Sequence, residues 1–319
     1  MKKISISMGT YNEEKNIIPI CEAVINQFKE YLSEYDYEII IIDNDSQDKT
    51  RDLIIKLCDS NKKIKAIFNS RNFGASNSGF HAMLQTTGDC CIGIPADFQT
   101  PVDLIPKFVK EWEKGYKLVL GIKTKSKENK VIRFIRDIYY NLLKRYSDIE
   151  QLKHLAGISL LDNSIIKTLG SFKDPLPFGR GMLAEIGLKS KRILIPYTQE
   201  KRRAGKSSYN FFKYYDFAML SFTSYTKVGL RVAVFLGFFI SFLSIFAAIF
   251  YFVLKLIYWD RFPAGNIPIL LSVLILGGIQ MFFIGLIGEY IITINTRLMN
   301  RPHVIEECRI NFDDSSKEK

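Results

Sequence analysis

The sequence lacks the residues and motifs that mark several common classes of protein. It has only five cysteines, an odd number with no CxxC pair. Neither a disulfide framework nor a zinc site of that spacing is indicated, and a reducing compartment fits best. No GxGxxG follows the first predicted strand and no GxxxxGK[ST] occurs, which disfavours dinucleotide-binding and P-loop folds. The N-terminal MKKISISMGTYNEE also lacks an apolar core of signal-peptide length.

Positive charge is present in excess. The chain has 44 Lys and Arg against 33 Asp and Glu, a formal net charge of +11. This excess of positive charge favours an anionic partner. The candidate classes are a nucleic acid, a phosphorylated ligand and an acidic membrane surface. With 47% hydrophobic and 24% charged residues, general disorder is excluded. A length of 319 residues suffices for one large domain or two ordinary ones.

Hydrophobic residues are concentrated in two runs near the C-terminal end. Residues 232–254 and 266–288 contain no charged side chain, and each run exceeds the roughly 20 residues that cross a bilayer. We predict two transmembrane helices, because charge-free runs of this length are rare in the cores of soluble proteins. A pair of buried core helices is the less favoured interpretation. A nucleic-acid partner is not predicted, because it leaves both runs unexplained.

The orientation of this pair follows from the basic residues around it. Basic residues are more frequent outside the two runs than in the loop between them, so the positive-inside rule places both chain ends in the cytoplasm. The outer ones are Lys227, Arg231, Arg297, Arg301 and Arg309, and the loop contains Lys255 and Arg261.

Residues 1–231 alternate between strand and helix patterns. Strands are predicted at residues 4–8, 38–43, 64–68, 90–94 and 116–121, from period-2 alternation or short apolar runs. Apolar residues at helical spacing predict a helix from Ile17 to Phe28 and another containing Leu104 and Phe108. Thr100 is predicted to cap the second helix, with Pro101 as its first residue. This alternation indicates an α/β domain with a mainly parallel sheet.

Polar residues cluster where three of the predicted strands end. The first strand is followed by TYNE, the second ends in DNDS, and the fourth leads to DFQ at Asp97. Ligands bind at the carboxyl ends of strands in parallel sheets. Turn formation alone explains one such loop well, but three successive strand ends with carboxylates indicate a ligand site.

Four segments carry a resemblance to a known family. In order and spacing, GTYNEEKNI, IIDNDSQDKT, RNFGASNSGFHAM and PADFQTP resemble the family 2 glycosyltransferases with the GT-A fold. The later FGRGMLAEIG, KRRAGKSSY and GEYIITINTRLMNRPHVI resemble the membrane-anchored polyprenyl-phosphate glycosyltransferases, the group that includes dolichyl-phosphate mannose synthases. The resemblance implies a GT-A nucleotide-sugar-binding domain, then amphipathic interface helices and two transmembrane helices.

The resemblance also implies a divalent cation, Mg²⁺ or Mn²⁺. The family motif Asp-x-Asp-x-Gln is represented here by Pro95-Ala96-Asp97-Phe98-Gln99. Asp97 and Gln99 are therefore the implied metal ligands, and the first carboxylate of the motif is missing. Oxygen ligands suit hard cations, and such a cation neutralises the diphosphate charge that grows as the sugar leaves.

Contacts with the nucleotide sugar are implied at eight positions. Tyr11 and Glu13 match contacts to base and ribose, and Asp43 matches a hydrogen bond to the base. Lys123 stands where the family often has an Arg near the phosphates, and Arg202 fits an Arg-x-x-Gly-x-Ser pattern. A solvated or membrane-facing basic run is the alternative interpretation of the residues around Arg202. The full set is Tyr11, Glu13, Asp43, Ala96, Asp97, Gln99, Lys123 and Arg202.

The catalytic base is the least defined part of the predicted site. Some relatives have an Asp where this chain has Gly157. Glu185 is the nearest candidate base, and it joins Asp97 as the second predicted catalytic residue. A lipid phosphate is already mostly ionised near neutral pH, since a phosphate monoester has a second pKa of about 6. It needs positioning rather than deprotonation, so the missing Asp favours a phosphate acceptor over an alcohol.

Together these features predict an inverting transfer of one sugar from a nucleotide sugar, most simply a UDP-sugar, to polyprenyl phosphate at the cytoplasmic membrane face. The predicted parts are a catalytic domain at 1–208, an amphipathic segment at 209–231, a transmembrane pair at 232–294 and a cytosolic tail at 295–319. Residues 130–146 form a second predicted interface segment, with a core-packed helix as its alternative.

Several alternatives stay open. Another membrane glycolipid is the alternative acceptor. An inactive, degenerate glycosyltransferase serving as a membrane scaffold is supported by Pro95 and Gly157. A processive polysaccharide synthase is disfavoured by the small number of spans and by the absence of QxxRW. A homo-oligomer is compatible with the sequence.

Overall fold

The computed structural model describes residues 1–124, 155–172, 174, 177, 179–200, 202–203, 211–257 and 266–312. The described strands are β1 (Lys3–Thr10), β2 (Asp36–Asp43), β3 (Ile64–Asn69), β4 (Cys90–Gly93), β5 (Leu118–Lys123), β6 (Leu155–Asp162), β7 (Arg192–Tyr197) and β8 (Glu306–Ile310). The described helices are α1 (Ile17–Tyr31), α2 (Thr50–Ser60), α3 (Ala75–Leu84), α4 (Leu104–Glu113), α5 (Asn163–Ser171), α6 (Gly179–Ile186), α7 (Phe211–Tyr225), α8 (Val228–Ile257) and α9 (Asn266–Leu298).

The described strands form one sheet in the order β7-β5-β6-β4-β1-β2-β3-β8. Strands β4, β1, β2 and β3 are parallel neighbours, while β6 and β8 run antiparallel to their neighbours. The predicted α/β class with a mainly parallel sheet is confirmed. Thr10 lies opposite Asp43 in the register of β1 and β2, so both strands end at the same level. The polar segments after β1, β2 and β4 therefore share one edge of the sheet.

Helices cover both faces of this sheet, as the hydrophobic patterns predict. The isoleucines of β2 alternate between two buried clusters, with Ile39 and Ile41 on one face and Ile40 and Ile42 on the other. This explains why the strand has no polar alternation in its centre. The predicted periodic face of α1 is buried, and Phe28 at its end is 2% exposed.

Two predicted element boundaries are wrong. Helix α4 begins at Leu104 rather than Pro101, because Thr100 is hydrogen-bonded to Tyr197 instead of capping the helix. Strand β5 begins two residues later than predicted. Gly115 has φ +95 and ends the preceding helical turn, and the Tyr116 N–H still donates to the Glu111 carbonyl at 3.4 Å.

Helices α8 and α9 lie outside the core of the sheet domain. Within the described residues, two helical segments, Val228–Leu254 and Ile275–Leu298, are long and apolar enough to cross a membrane, and neither is buried. Large apolar side chains point outward, such as Phe238 at 76% exposure. The alternative of two buried core helices is therefore wrong.

Polar contacts attach the C-terminal half of α9 to α7. The Tyr215 hydroxyl donates to Glu289 at 3.2 Å, and Arg297 donates to the Ser224 hydroxyl at 3.1 Å. The second predicted interface segment, residues 130–146, lies outside the described residues.

The chain returns to the sheet after α9, which the sequence analysis did not predict. Strand β8 pairs antiparallel with β3, and Arg51 forms a two-pronged ion pair with Glu307 at 2.8 Å for each bond. The pattern of β8 is weak because charged residues make up most of its five positions. Residues of the predicted tail thus add strand β8 to the edge of the sheet.

Candidate active site

Asp43 closes strand β2 and lies almost completely buried beside the end of β1. Its carboxylate accepts the Ser46 hydroxyl at 2.5 Å and the Ser46 N–H at 3.1 Å. The Thr10 hydroxyl approaches it at 3.4 Å. Burial raises the pKa of Asp43 above its ordinary value, and the bonds from Ser46 act against that rise. The loss of hydration on burial therefore disfavours the ionised form of Asp43, as is common for carboxylates at binding sites.

Glu13 is the second buried carboxylate at this edge. It follows β1, is 7% exposed, and accepts a hydrogen bond from the Asn16 side chain at 2.6 Å. Burial raises its pKa and the Asp97 charge adds to that rise, whereas Asn16 and Arg202 lower it. Glu13 therefore faces Asp97 across the edge of the sheet.

Arg202 joins the two carboxylates. Its guanidinium donates to Asp97 Oδ2 at 2.8 Å and lies 3.5 Å from Glu13 Oε1. Asp97 is 6% exposed. The three charged groups come from the loop after β1, the loop after β4 and the segment after β7. The structure thus brings together three of the residues that the sequence assigned to one site.

Gln99 belongs to the same arrangement. Its N–H donates to Asp97 Oδ1 at 3.0 Å, and the turn between them places Phe98 in the left-handed region, with φ 58. The segment that leads to Arg202 is attached here, because Gln199 donates to Gln99 Oε1 at 2.9 Å and the Glu200 N–H donates to the Gln99 carbonyl at 3.0 Å. We call the described residues 198–200, 202 and 203 the arginine arm.

The other predicted residues lie at different distances from this centre. Tyr11 is partly exposed just after β1, at 37%, and Ala96 is buried beside Asp97. Lys123 is the last residue of β5 and pairs in register with Tyr197, which directly precedes the arginine arm. Glu185 is exposed on α6, and its charge acts on Tyr225 of α7. The described contacts do not join Glu185 to Asp97, and its predicted role stays a prediction.

An asparagine cluster supports the site and was missed by sequence reasoning. The Asn44 side chain accepts from Asn69 at 3.1 Å, from Ser78 at 2.9 Å and from the Phe73 N–H at 2.9 Å. It also donates to Asn72 at 2.9 Å. The cluster ties the loop after β3 to the residue that follows Asp43. Polar residues at the ends of β1, β2 and β4 predicted the ligand site. The same criterion applies to the end of β3, where Asn69 is the last residue.

The chemistry of Asp97 and Gln99 fits a hard divalent cation. A carboxylate and an amide oxygen are held two residues apart in a fixed turn, and Mg²⁺ typically takes only one or two carboxylates together with waters and substrate phosphates. Among the described residues no group of three or more His, Cys, Asp or Glu is arranged as a metal cage. A cation held by Asp97 and Gln99 would complete its coordination with waters and with oxygens of an anionic substrate.

Comparison with protein families gives a match over half of the chain. The description "Glycosyl transferase family 2" matches residues 5–167. This range contains most of β1, all of β2 to β6, and the carboxylates Glu13, Asp43 and Asp97.

Two relatives extend the similarity over nearly the whole chain. A bactoprenol glucosyl transferase of Shigella phage SfX is 28% identical over 309 residues, covering 96% of this chain and 99% of the relative. An uncharacterized glycosyltransferase, YkoT, of Bacillus subtilis (strain 168) is 30% identical over 306 residues, covering 94% and 89%. The similarity thus includes α8, α9 and β8.

A solved structure supports the fold. Mannosyl-3-phosphoglycerate synthase from Rubrobacter xylanophilus matches with a TM-score of 0.50 and 13% identity, covering 68% of this chain and 71% of that chain. At this identity the likeness concerns the fold alone. The predicted GT-A fold is confirmed.

Proposed function

The chain belongs to glycosyl transferase family 2, and from that premise we propose that it transfers one sugar from a nucleotide sugar to polyprenyl phosphate at the cytoplasmic face of a membrane. The observation that carries the proposal is the Glu13–Arg202–Asp97 bridge at the carboxyl edge of the sheet, in a chain with two exposed apolar helices. Relatives named bactoprenol glucosyl transferase support glucose as the sugar and a polyprenyl lipid as the acceptor. UDP-glucose is the donor to test first.

The nucleotide lies, in this proposal, over the ends of β1 and β2. The buried Asp43 carboxylate accepts a hydrogen bond from the base, and Tyr11 and Glu13 contact base and ribose. Ala96 provides a surface without a bulky side chain beside Asp97. The diphosphate meets Lys123 and Arg202, whose positive charges offset its negative charge.

Asp97 and Gln99 hold Mg²⁺ or Mn²⁺ in this proposal. The bound cation supplies charge stabilisation at the leaving diphosphate. Arg202 already lies 2.8 Å from Asp97, so its guanidinium is placed to act on the same phosphates.

The transfer step needs no general base if the acceptor is a phosphate. An acceptor phosphate oxygen forms the new bond to the anomeric carbon from the face opposite the diphosphate, which inverts the configuration. The bond from that carbon to the diphosphate oxygen breaks, and the electron pair leaves with the nucleotide. The chain's contribution is orientation of the two reactants and neutralisation of charge. Glu185 is kept as the candidate base for an alcohol acceptor.

The membrane arrangement of the proposal follows the charge distribution. Helices α8 and α9 cross the bilayer, with the sheet domain on the cytoplasmic side where basic residues flank the spans. The parts are the catalytic domain at 1–208, the interface segment at 209–231, the spans at 232–294 and the tail at 295–319. The pairing of β8 with β3 supports a catalytic domain held on the same side as the end of α9.

The first experiment is transfer from a panel of radiolabelled nucleotide sugars to polyprenyl phosphate by the full chain in detergent, with Mn²⁺, with Mg²⁺ and with chelator. We expect cation-dependent label in an organic-extractable lipid that mild acid releases, with UDP-glucose as donor. Binding of UDP without transfer contradicts the lipid-phosphate acceptor and favours another glycolipid. Absence of nucleotide binding contradicts the proposal as a whole and favours an inactive scaffold.

A further inference from the structure

Gly157 lies in β6, beside the loop that carries Asp97, and has a backbone that most residues avoid. Its φ is +74, and a Cβ added there would collide with the Tyr197 hydroxyl oxygen and with Thr100 Oγ1, and would lie 3.2 Å from Tyr197 Cζ. The space of a side chain at this position is therefore filled by two hydroxyl groups, one from the end of β7 and one from the loop after β4. A glycine is required both by the backbone angle and by this packing.

Tyr197 ends β7 and fills this space from within the core. It is 6% exposed, and its hydroxyl is hydrogen-bonded to Thr100. Its carbonyl accepts from the Thr124 N–H at 3.1 Å and the Thr124 hydroxyl at 3.0 Å. Its ring also packs over Gly121, where a Cβ would lie 3.1 Å from Tyr197 Cε1. One residue thus contacts the ends of β5, β6 and β7 and the loop after β4.

Two segments are proposed to approach the diphosphate, the Asp97–Gln99 loop and the arginine arm. Each lies next to one member of the Tyr197–Thr100 pair. Thr100, 1% exposed, directly follows Gln99 in the loop that presents Asp97. Tyr197 directly precedes the arginine arm, whose Gln199 and Glu200 bind back onto Gln99. The loop and the arm are therefore joined at two places, by the bonds of Gln199 and Glu200 to Gln99 and by the Tyr197–Thr100 hydrogen bond.

We propose that Tyr197 is a positioning residue for sugar transfer: with Thr100 it fixes the Asp97–Gln99 loop against the arginine arm, and it occupies the place of any side chain at position 157. This inference rests on the proposed function. It also implies that no carboxylate base can act from position 157 in this chain. Burial and the charge of Asp97 raise the pKa of Tyr197, so the phenol stays neutral near pH 7 and orients groups without accepting a proton.

The test compares Tyr197→Phe with Tyr35→Phe in the full chain in detergent. Tyr35 is a matched control, because it is 7% exposed and its hydroxyl, like that of Tyr197, is hydrogen-bonded to another side chain, here that of Glu113, far from the site. Each change removes the hydroxyl hydrogen bond of a buried tyrosine and should lower stability. Because the Tyr35 bond ends on a carboxylate, Tyr35→Phe should lower it at least as much as Tyr197→Phe. Only Tyr197→Phe is expected to speed hydrogen exchange of the amides at residues 97–100 and 199–200. Equal exchange in the two variants overturns the proposal, whether or not the protein transfers sugar.

The functional readout separates positioning from general damage. Tyr197→Phe is expected to lower kcat about 10-fold and to raise the Mn²⁺ concentration for half-maximal activity, while Tyr35→Phe leaves both unchanged. UDP binding by calorimetry with and without Mn²⁺ provides the same comparison without an acceptor, and only the Mn²⁺-dependent part should weaken. If wild-type protein binds UDP but does not glycosylate polyprenyl phosphate, the proposed acceptor is wrong while the positioning role is still measured.

A double-mutant cycle tests the shared space. Gly157→Ala should be strongly damaging alone, but less so in the Tyr197→Phe background, because one of the two colliding oxygens is then gone. We expect the combined loss in kcat to be at least about 3-fold smaller than the product of the single losses. Strictly multiplicative losses, or a fully active Gly157→Asp variant with a new ionisation in its pH–rate profile, contradict the proposal.

Discussion

Two carboxylates on the same strand, Glu38 and Asp43, show how the two edges of the sheet differ. Both belong to β2 and both are almost completely buried, at 1% and 2% exposure. The pKa of Glu38 is lowered to about 2, whereas burial raises the pKa of Asp43. Two carboxylates at nearly equal burial thus have pKa values shifted in opposite directions, because the two edges provide different hydrogen-bond and charge partners.

The amino-terminal edge satisfies its buried charge within the chain. Glu38 pairs with Lys3 at 3.1 Å and Lys65 at 2.8 Å. It also accepts bonds from the Ser5 hydroxyl at 2.6 Å and the Thr87 N–H at 2.7 Å. These partners outweigh desolvation, so the ionised form is favoured. The cluster ties β1, β2, β3 and the turn before β4 together and has a structural role.

The carboxyl-terminal edge leaves its buried charge less compensated. Asp43 receives bonds from Ser46 and Thr10, and Arg51 acts on it only from a distance. Glu13 likewise has a raised pKa despite Arg202. Carboxylates kept at an electrostatic cost, at the strand ends where ligands bind, are typical of functional sites.

The largest expected effect is at the carboxyl-terminal edge. Asp97→Asn should reduce transfer at least about 1000-fold, because it removes the one carboxylate proposed to hold the cation at the leaving diphosphate. The substitution keeps the shape and the acceptor oxygen for the Gln99 N–H but removes the ion pair with Arg202, so the unfolding temperature of the full chain in detergent should fall and transfer is compared per folded molecule. Retention of a tenth of wild-type transfer would contradict the assigned role.

Glu38→Gln tests the opposite edge. It leaves Lys3 and Lys65 without their anion, and we expect a loss of about 3 kcal/mol in stability. Thermal unfolding of the full chain measures this loss, and transfer per folded molecule should stay within about twofold of wild type. A stable but inactive variant would show that this edge also serves the reaction.

Asp43→Asn is the matched amide substitution on the same strand. Because the buried charge of Asp43 is disfavoured in the folded state, its removal should leave thermal stability unchanged or slightly higher. The affinity for UDP should fall about 10-fold, since a charge-assisted hydrogen bond to the base is lost. Calorimetric titration measures this. Unchanged affinity would place the base elsewhere.

The smallest effect concerns pH. Glu38 has a folded pKa of about 2 against an ordinary 4.5, so its contribution of about 3 kcal/mol is complete above pH 4.5 and is lost as the pH falls towards 2. The folded pKa values of Asp43 and Glu13 are raised, so their protonation on acidification costs no stability. UDP affinity should therefore decline at a higher pH than thermal stability does. Measurement of UDP affinity and of thermal stability over the same pH series tests this. If both declined at the same pH, the proposed difference between the two edges would be wrong.

Local patterns account for much of the fold and of the site. The isoleucine run of β2, the apolar face of α1 and the polar strand ends each follow from the period of a single segment. Ordered motifs identified Glu13, Asp97 and Arg202, which the structure joins in one bridge. The charge-free runs appear as helices α8 and α9.

The missed features all depend on partners distant in the sequence. Thr100 has the residue type and the following proline of a helix cap, yet it bonds to Tyr197. Strand β8 forms because β3 offers an open edge and Arg51 a partner for Glu307. No local period encodes such pairings.

The sequence by itself determined which segments become strands and helices, and which residue types stand at the strand ends, because hydrophobic period and turn chemistry act over a few residues. The tertiary structure alone decided that Glu38 is stabilised as an anion while Asp43 is not, and that two hydroxyls occupy the side-chain space of Gly157. Burial and electrostatic compensation depend on which distant groups the fold packs together.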